Sequence, residues 1–208
     1  GVSVKQNHTI GVVGRSTKTK ATISKERAHL HFEICLYLSP YFQQWYQKNY
    51  PKQDAHAGFH GWNLAGLDPW DVFKEQWEKK TDFNLAKYIR KDGNLTRLDK
   101  EQLCRVLILK KEFPFAERYP RLTAVNKVAL EEGIVAWDVR FDYSGLPFVL
   151  IPRAASEITG GKGKYRLLAV NEEEQTKNPG RHFLKKEGGR WKMTDKFIQY
   201  LDQITYIP

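Results

Sequence analysis

Cysteine is scarce in this chain: Cys35 and Cys104 are the only two among 208 residues. Two thiols are too few for a disulfide framework, so a small cysteine-stapled fold is excluded, and they assign no compartment. Each reads as a buried free thiol. No run of eighteen apolar residues occurs, which excludes a membrane-spanning helix of ordinary length. No internal repeat is found. No signal peptide is present either, and Gly1-Val2-Ser3-Val4 reads as the middle of a β region, so Gly1 is not expected to be the natural start. Acidic residues are outnumbered, 24 Asp and Glu against 34 Lys and Arg, for a formal charge of +10. The excess is diffuse: 11 cations face 7 anions in residues 1–80, and 23 face 17 in residues 81–208. Spread basic charge favours anionic partners, cell-wall polymers and nucleic acids among them, although most of it is solvated surface.

A hydrophobic fraction of 41% and an aromatic fraction of 13% mark a globular chain with enough apolar mass for a core. Its length fits one large or two small domains. The stretch that organises the rest is Ala28-His29-Leu30-His31-Phe32-Glu33-Ile34. It alternates. In an extended strand, His29, His31, Glu33 and Cys35 share one face, and Leu30, Phe32, Ile34 and Leu36 share the other. Two imidazoles two residues apart on a strand stand roughly 6.5–7 Å apart. That spacing suits one metal-binding histidine beside one that acts on what the metal holds. A bare His-x-His on a polar strand face often does nothing, so its neighbours decide.

Those neighbours resemble a known family. His29-Leu30-His31-Phe32-Glu33-Ile34 is similar to the C-terminal motif of the lysostaphin/LytM-type zinc metallopeptidases, which cut peptide cross-links in peptidoglycan. Upstream, Val4-Lys5-Gln6-Asn7-His8-Thr9-Ile10-Gly11-Val12-Val13-Gly14 resembles the family's strand–turn–strand segment, and Gln6-Asn7 is expected to make the turn. Downstream, Gly66-Leu67-Asp68-Pro69 resembles the Asp-Pro that closes the domain. The three matches occur in family order over residues 1–70, a third of the chain. The resemblance implies that His31 is a zinc ligand and that His29 is the catalytic histidine that does not bind metal. Strand parity adds Glu33 as a group that orients His31. The family's other two ligands lie in an upstream H-x-x-x-D element, which has no counterpart in residues 1–208. The basic segment 15–27 also replaces the family's glycine-rich approach to the histidines. The glycine-punctuated start resembles lipoyl-type hybrid barrels as well, but no carrier-lysine turn is present, which argues against a swinging arm.

Residues 40–66 read as irregular and aromatic, with Tyr41, Phe42, Trp45, Tyr46, Tyr50, Phe59 and Trp62. Such rings suit sugar faces, or pack on each other as a small core; the second is the simpler expectation. His56 and His60 lie within this stretch in a His-x-x-x-His spacing that would put both rings on one face of a helix. Gly58 and Gly61 speak against that helix, so both are secondary candidates for a metal. Asp68-Pro69 reads as a helix start, with Val72, Phe73 and Trp77 following and an end near Lys79-Lys80. A domain boundary is expected at about residue 80.

Residues 81–208 read as helices, then an antiparallel sheet, then a closing helix. Helices are expected from Asp82 through Ile89, from Asp99-x-x-Gln102 through Lys110 to a stop at Pro114, and from Thr123 to Gly133. Val135, Trp137, Val139, Phe141 and Tyr143 form one apolar strand face; Asp138, Arg140 and Asp142 on the other could form a site, but a solvated face is the simpler expectation. Strands follow at 146–151 and 165–170. Gly188-Gly189 predicts a hairpin between 182–186 and 190–193, and Thr194 caps a final helix. Lys162, Lys164 and Arg190-Trp191-Lys192 suit phosphates, but the stacked aromatic pattern of an RNA-binding sheet is missing, so a nucleic-acid role is disfavoured.

The expected fold class is therefore α+β: a partial, all-β, hybrid-motif peptidase-like part over 1–80, then a separate α+β domain over 81–208. The resemblance implies zinc as cofactor, peptidoglycan cross-links as substrate and the cell envelope as location. Zinc acidifies a bound water and polarises the scissile carbonyl, and His29 moves a proton or stabilises the oxyanion. Because a ligand must be neutral imidazole, activity is expected to fall below about pH 6. The alternative is a degenerate, non-catalytic domain that docks on the wall or activates a partner hydrolase.

Overall fold

A computed structural model describes residues 3–14, 24, 26, 28, 29, 32–90, 102–160, 163–178 and 181–208. The chain divides into two compact units, Gly1–Glu33 and Ile34–Pro208. Among the described residues of the first unit there is no strand. Gln6-Asn7 does form the expected turn: the His8 amide donates to the Lys5 carbonyl at 3.1 Å and Asn7 takes φ +66°. The segments expected to flank it as strands leave Val4, Ile10, Val12 and Val13 exposed. Two short segments alone have nothing to bury an apolar face against, and alternation without a partner does not hold a ladder.

The second unit opens with β1 (Ile34–Tyr37), far shorter than the strand expected over 28–38. Helix α1 (Phe42–Asn49), two single 3₁₀ turns at His56–Gly58 and Gly61–Asn63, and β2 (Leu64–Leu67) follow. β1 and β2 pair antiparallel from Ile34↔Leu67 to Tyr37↔Leu64. The ladder is limited on the β2 side by Pro69, which lacks an N–H to donate and opens α2 (Pro69–Lys79) instead. Asp68 caps that helix, its carboxylate accepting the Trp70 amide at 2.8 Å. Helix α3 (Leu85–Arg90) starts at Asn84, whose side chain accepts the Lys87 amide, rather than at Asp82.

The clearest departure from expectation is β3 (Cys104–Ile108). Leu103, Val106, Leu107 and Lys110 carry a helical spacing, yet Val106-Leu107-Ile108 is also an unbroken apolar run. A strand between two neighbours and covered on both faces needs such a run. Pro114 then begins helix α4 (Pro114–Arg118) instead of ending one. Helix α5 (Lys127–Glu132) is capped by Asn126 and closed by Gly133, three residues later than Thr123 suggests.

Strands β4 (Ala136–Phe141), β5 (Pro147–Arg153) and β6 (Tyr165–Val170) complete an antiparallel sheet in the order β5-β4-β3-β6. After helix α6 (Glu172–Lys177), the hairpin β7 (Leu184–Glu187)–β8 (Arg190–Met193) turns on Gly188 and Gly189, at φ +56° and +76°. That pair of positive angles is why a two-residue glycine turn stands there. Helix α7 (Asp195–Ile204) closes the chain, capped by Thr194 as its sequence predicts. The chain is thus mixed α and β with antiparallel sheets. Among the described residues no helix is long and apolar enough to cross a membrane.

The core joins what the sequence divides. Leu36, Leu38 and Ala65 lie in one cluster with Val106, Phe115, Phe141, Phe148, Phe197 and Leu201. The Tyr119 hydroxyl accepts the Tyr37 amide and donates to the Tyr37 carbonyl, both at 3.0 Å. Arg181 donates to the Leu64 carbonyl. Residues 34–67 therefore share a core with the C-terminal part of the chain, and the division lies after Glu33 rather than near residue 80.

Candidate functional site

The residues of the histidine motif fall on both sides of what the structure describes. His31, the expected zinc ligand, lies outside the described residues. His29 and Glu33 are described; both are exposed and neither is in a strand. Phe32, expected on a covered apolar face, is exposed as well. A shared face for His29, His31 and Glu33 needs extended pairing, and regular pairing begins at Ile34. What the structure does fix is the far end of the motif: Ile34 is paired with Leu67, so the motif runs into one strand and Asp68-Pro69 runs out of its partner.

The secondary histidine pair is better defined. The aromatic stretch folds into its own small core of Phe42, Trp45, Tyr46 and Ala55, with Tyr50 and Tyr206 against it. α7 holds it: buried Gln203 donates to the Trp62 carbonyl at 2.9 Å, and Gln199 meets the Tyr50 hydroxyl. Buried Asn63 ties the segment together, donating to the Ser39 and Gly58 carbonyls and accepting the Ser39 amide. Gly58 is required here. Its φ is +86°, and a Cβ would stand 2.1 Å from the Tyr37 hydroxyl oxygen.

No helix joins His56 to His60; His56 and Ala57 both take φ +49°. The reversal nevertheless stacks the two imidazoles, with centroids 5.7 Å apart and planes 19° from parallel. His60 also stacks on Phe42 at 5.7 Å and meets the edge of Trp62. Its Nδ1 accepts the Trp62 amide at 3.2 Å, and His56 Nδ1 lies 3.2 Å from an Asp54 carboxylate oxygen. Burial, and then the neighbouring His56, push the His60 pKa below the ordinary histidine value, with Asp54 pulling weakly the other way. Two imidazoles fall short of the three protein ligands that a zinc site needs. Among the described residues no group of three or more His, Cys, Asp or Glu is arranged to hold a metal ion.

One polar constellation was hidden from sequence. Asp138, expected on a solvated face, is 1% exposed. Arg105 reaches it from β3 through Nε and Nη2, at 2.7 and 2.6 Å, and Arg153 from β5 through Nη2 at 2.8 Å. Arg153 also pairs with Glu157 at 3.0 Å, and Glu157 accepts the Ala154 amide and the Asn126 side chain. Burial pushes the Asp138 pKa up, but the hydrogen bonds and charges of the two arginines outweigh it and hold the carboxyl below its usual range. Every carboxylate oxygen is engaged, so the group is a clasp across three strands. Reading 99–110 as a helix concealed it, because Arg105 then points nowhere near Asp138. The candidate phosphate contact Lys192 instead pairs with Glu187, and Trp191 donates to Glu172.

Compared with known proteins, the chain matches no family model, no curated protein and no solved structure. The functional reading therefore rests on the chain's own residues.

Proposed function

We propose that residues 1–70 are the closing part of a zinc-dependent peptidoglycan endopeptidase domain of lysostaphin/LytM type. The β1–β2 ladder is the observation that supports this most. It ties the segment directly after His29-Leu30-His31-Phe32-Glu33 to the segment directly before Asp68-Pro69. The ladder thus brings two of the three resembling segments side by side. In this reading His31 is a metal ligand and Glu33 orients it. His29 supplies a hydrogen bond to the developing oxyanion, or a proton to the leaving amine. Among the described residues no group of side chains completes a zinc site. The reading assigns the remaining ligands to an H-x-x-x-D element preceding the glycine segment, and it implies a place at the cell envelope.

The test measures bound zinc, and new amino termini released from purified peptidoglycan, for the protein as the cell makes it. One zinc per chain is expected, lost in His31→Ala and kept in His29→Ala, with hydrolysis in the latter down by about 10²-fold or more. A folded protein that holds no zinc and cuts nothing ends the endopeptidase reading in favour of a non-catalytic wall-binding module. The 208 residues by themselves are expected to cut little or nothing. Robust hydrolysis by them would instead mean that His56 or His60 completes the site.

A further inference from the structure

Helix α2 buries Val72 but turns three large rings outward: Trp70 is 63% exposed, Phe73 45% and Trp77 84%. At 100° per residue the three lie within about 60° of one another round the helix, and Trp70 and Trp77 are about 10 Å apart along it. They form one stripe. Lys74 stands over the Trp70 ring at 5.4 Å and steadies it.

From this stripe we infer that α2 is a carbohydrate-docking face, whose occupant is the glycan strand of the cell wall. Three observations select that occupant. Area comes first. Taking each large ring as about 200 Å², the stripe exposes on the order of 400 Å². A stable pair of chains buries roughly 800 Å² from each partner, so a second copy would be underheld, whereas a patch of this size is ordinary for a functional site on a monomer. Charge comes second. Despite the net +10, the cations on this helix are answered within it: Lys74 by Asp71 at 3.8 Å and Lys79 by Glu75 at 2.5 Å. Such a face offers little to phosphates or an anionic membrane and suits an uncharged ligand. Third is the place of the stripe in the chain. Trp70 lies three residues past the Ile34↔Leu67 pair, where the proposed peptidase segment ends. Two tryptophans about 10 Å apart along one helix face match the repeat of alternate sugars in a β-1,4-linked chain, which present C–H groups to aromatic surfaces. The choice of glycan rests on the endopeptidase reading; the stripe itself does not.

The probe is chitotetraose, a glycan with no peptide, titrated against the full chain by calorimetry and tryptophan fluorescence. Binding is expected, and W70A/W77A is expected to weaken it by about tenfold or more. Both side chains are exposed, so the unfolding midpoint should hardly move. Should the double variant misfold, W77A alone carries the test. No binding by the wild type, or binding that the variants leave unchanged, overturns the inference. So does a wild-type dimer in sedimentation that W70A/W77A dissolves, which would make the occupant a second copy. Adsorption to phosphatidylglycerol vesicles that needs the two tryptophans would make it a membrane and overturns it equally. Because the probe has no cross-link, glycan binding without zinc or hydrolysis sinks only the endopeptidase reading. Hydrolysis without glycan binding sinks only this one.

Discussion

Asp138 ties three strands of the sheet together. A carboxylate in a sheet interior costs several kcal/mol of desolvation unless its oxygens are filled. Here Arg105 and Arg153 fill them from the strands on either side. Removing one partner from such a group costs more than the group contributes, because the others stay behind uncompensated. Asp138→Ala is expected to lose about 3 kcal/mol in urea unfolding, the low end for a buried pair, since both guanidiniums keep some contact with water. The sign of the shift sets the pH dependence. The folded-state pKa is depressed, so the contribution is complete above the ordinary carboxylate value of about 4 and is lost as pH falls through the folded value. A stability profile that stays flat from pH 5 to pH 2 in wild type, relative to Asp138→Ala, would count against this.

At the scale of the element, the aromatic segment between β1 and β2 is held by stacking more than by regular structure. Its weak point is the His56–His60 pair. The His60 pKa is depressed, so the unfolded chain binds the proton more tightly than the folded one. Stability from this segment is therefore present in full above the ordinary histidine value of about 6.5, and declines as pH falls through it. Protonation of His60 also removes the acceptor from the Trp62 amide. Between pH 8 and pH 5 the fluorescence of Trp45 and Trp62 is expected to shift toward that of exposed indole. His60→Phe keeps a ring against Phe42, and should flatten that titration.

On the scale of the molecule, the division after Glu33 makes a claim about truncation. A chain beginning at residue 34 keeps Leu36, Leu38, Ala65 and the Tyr37–Tyr119 hydrogen bonds, and is expected to unfold cooperatively in urea with one midpoint. A chain beginning at residue 81 loses them, along with the segment that α7 packs on, and is expected to show a shallow, early transition. Equal behaviour of the two fragments would restore the boundary near residue 80.

Local signals were legible wherever a residue's own chemistry fixes the backbone. The Asp68-Pro69 helix start, the Gln6-Asn7 turn, the Gly188-Gly189 hairpin and the Thr194 cap needed nothing from elsewhere in the chain, and all stand as their sequences predict. The antiparallel sheet was legible as a class for the same reason. What sequence left open were choices between two periodicities and between two partners. Whether Leu103–Lys110 is a helix or a strand depends on β4 and β6 arriving on either side to pair with both of its edges. Whether the histidine motif is a strand depends on a ladder, which begins at Ile34 because that is where β2 supplies a partner. The sequence by itself determined where the chain turns, caps and stops, since those are short-range hydrogen bonds and fixed dihedral angles. Only the tertiary structure decided which apolar runs pair, that Asp138 is clasped rather than solvated, and that residues 34–67 share a core with the rest. Burial is a property of what lies across a face, and no stretch of chain contains that information alone.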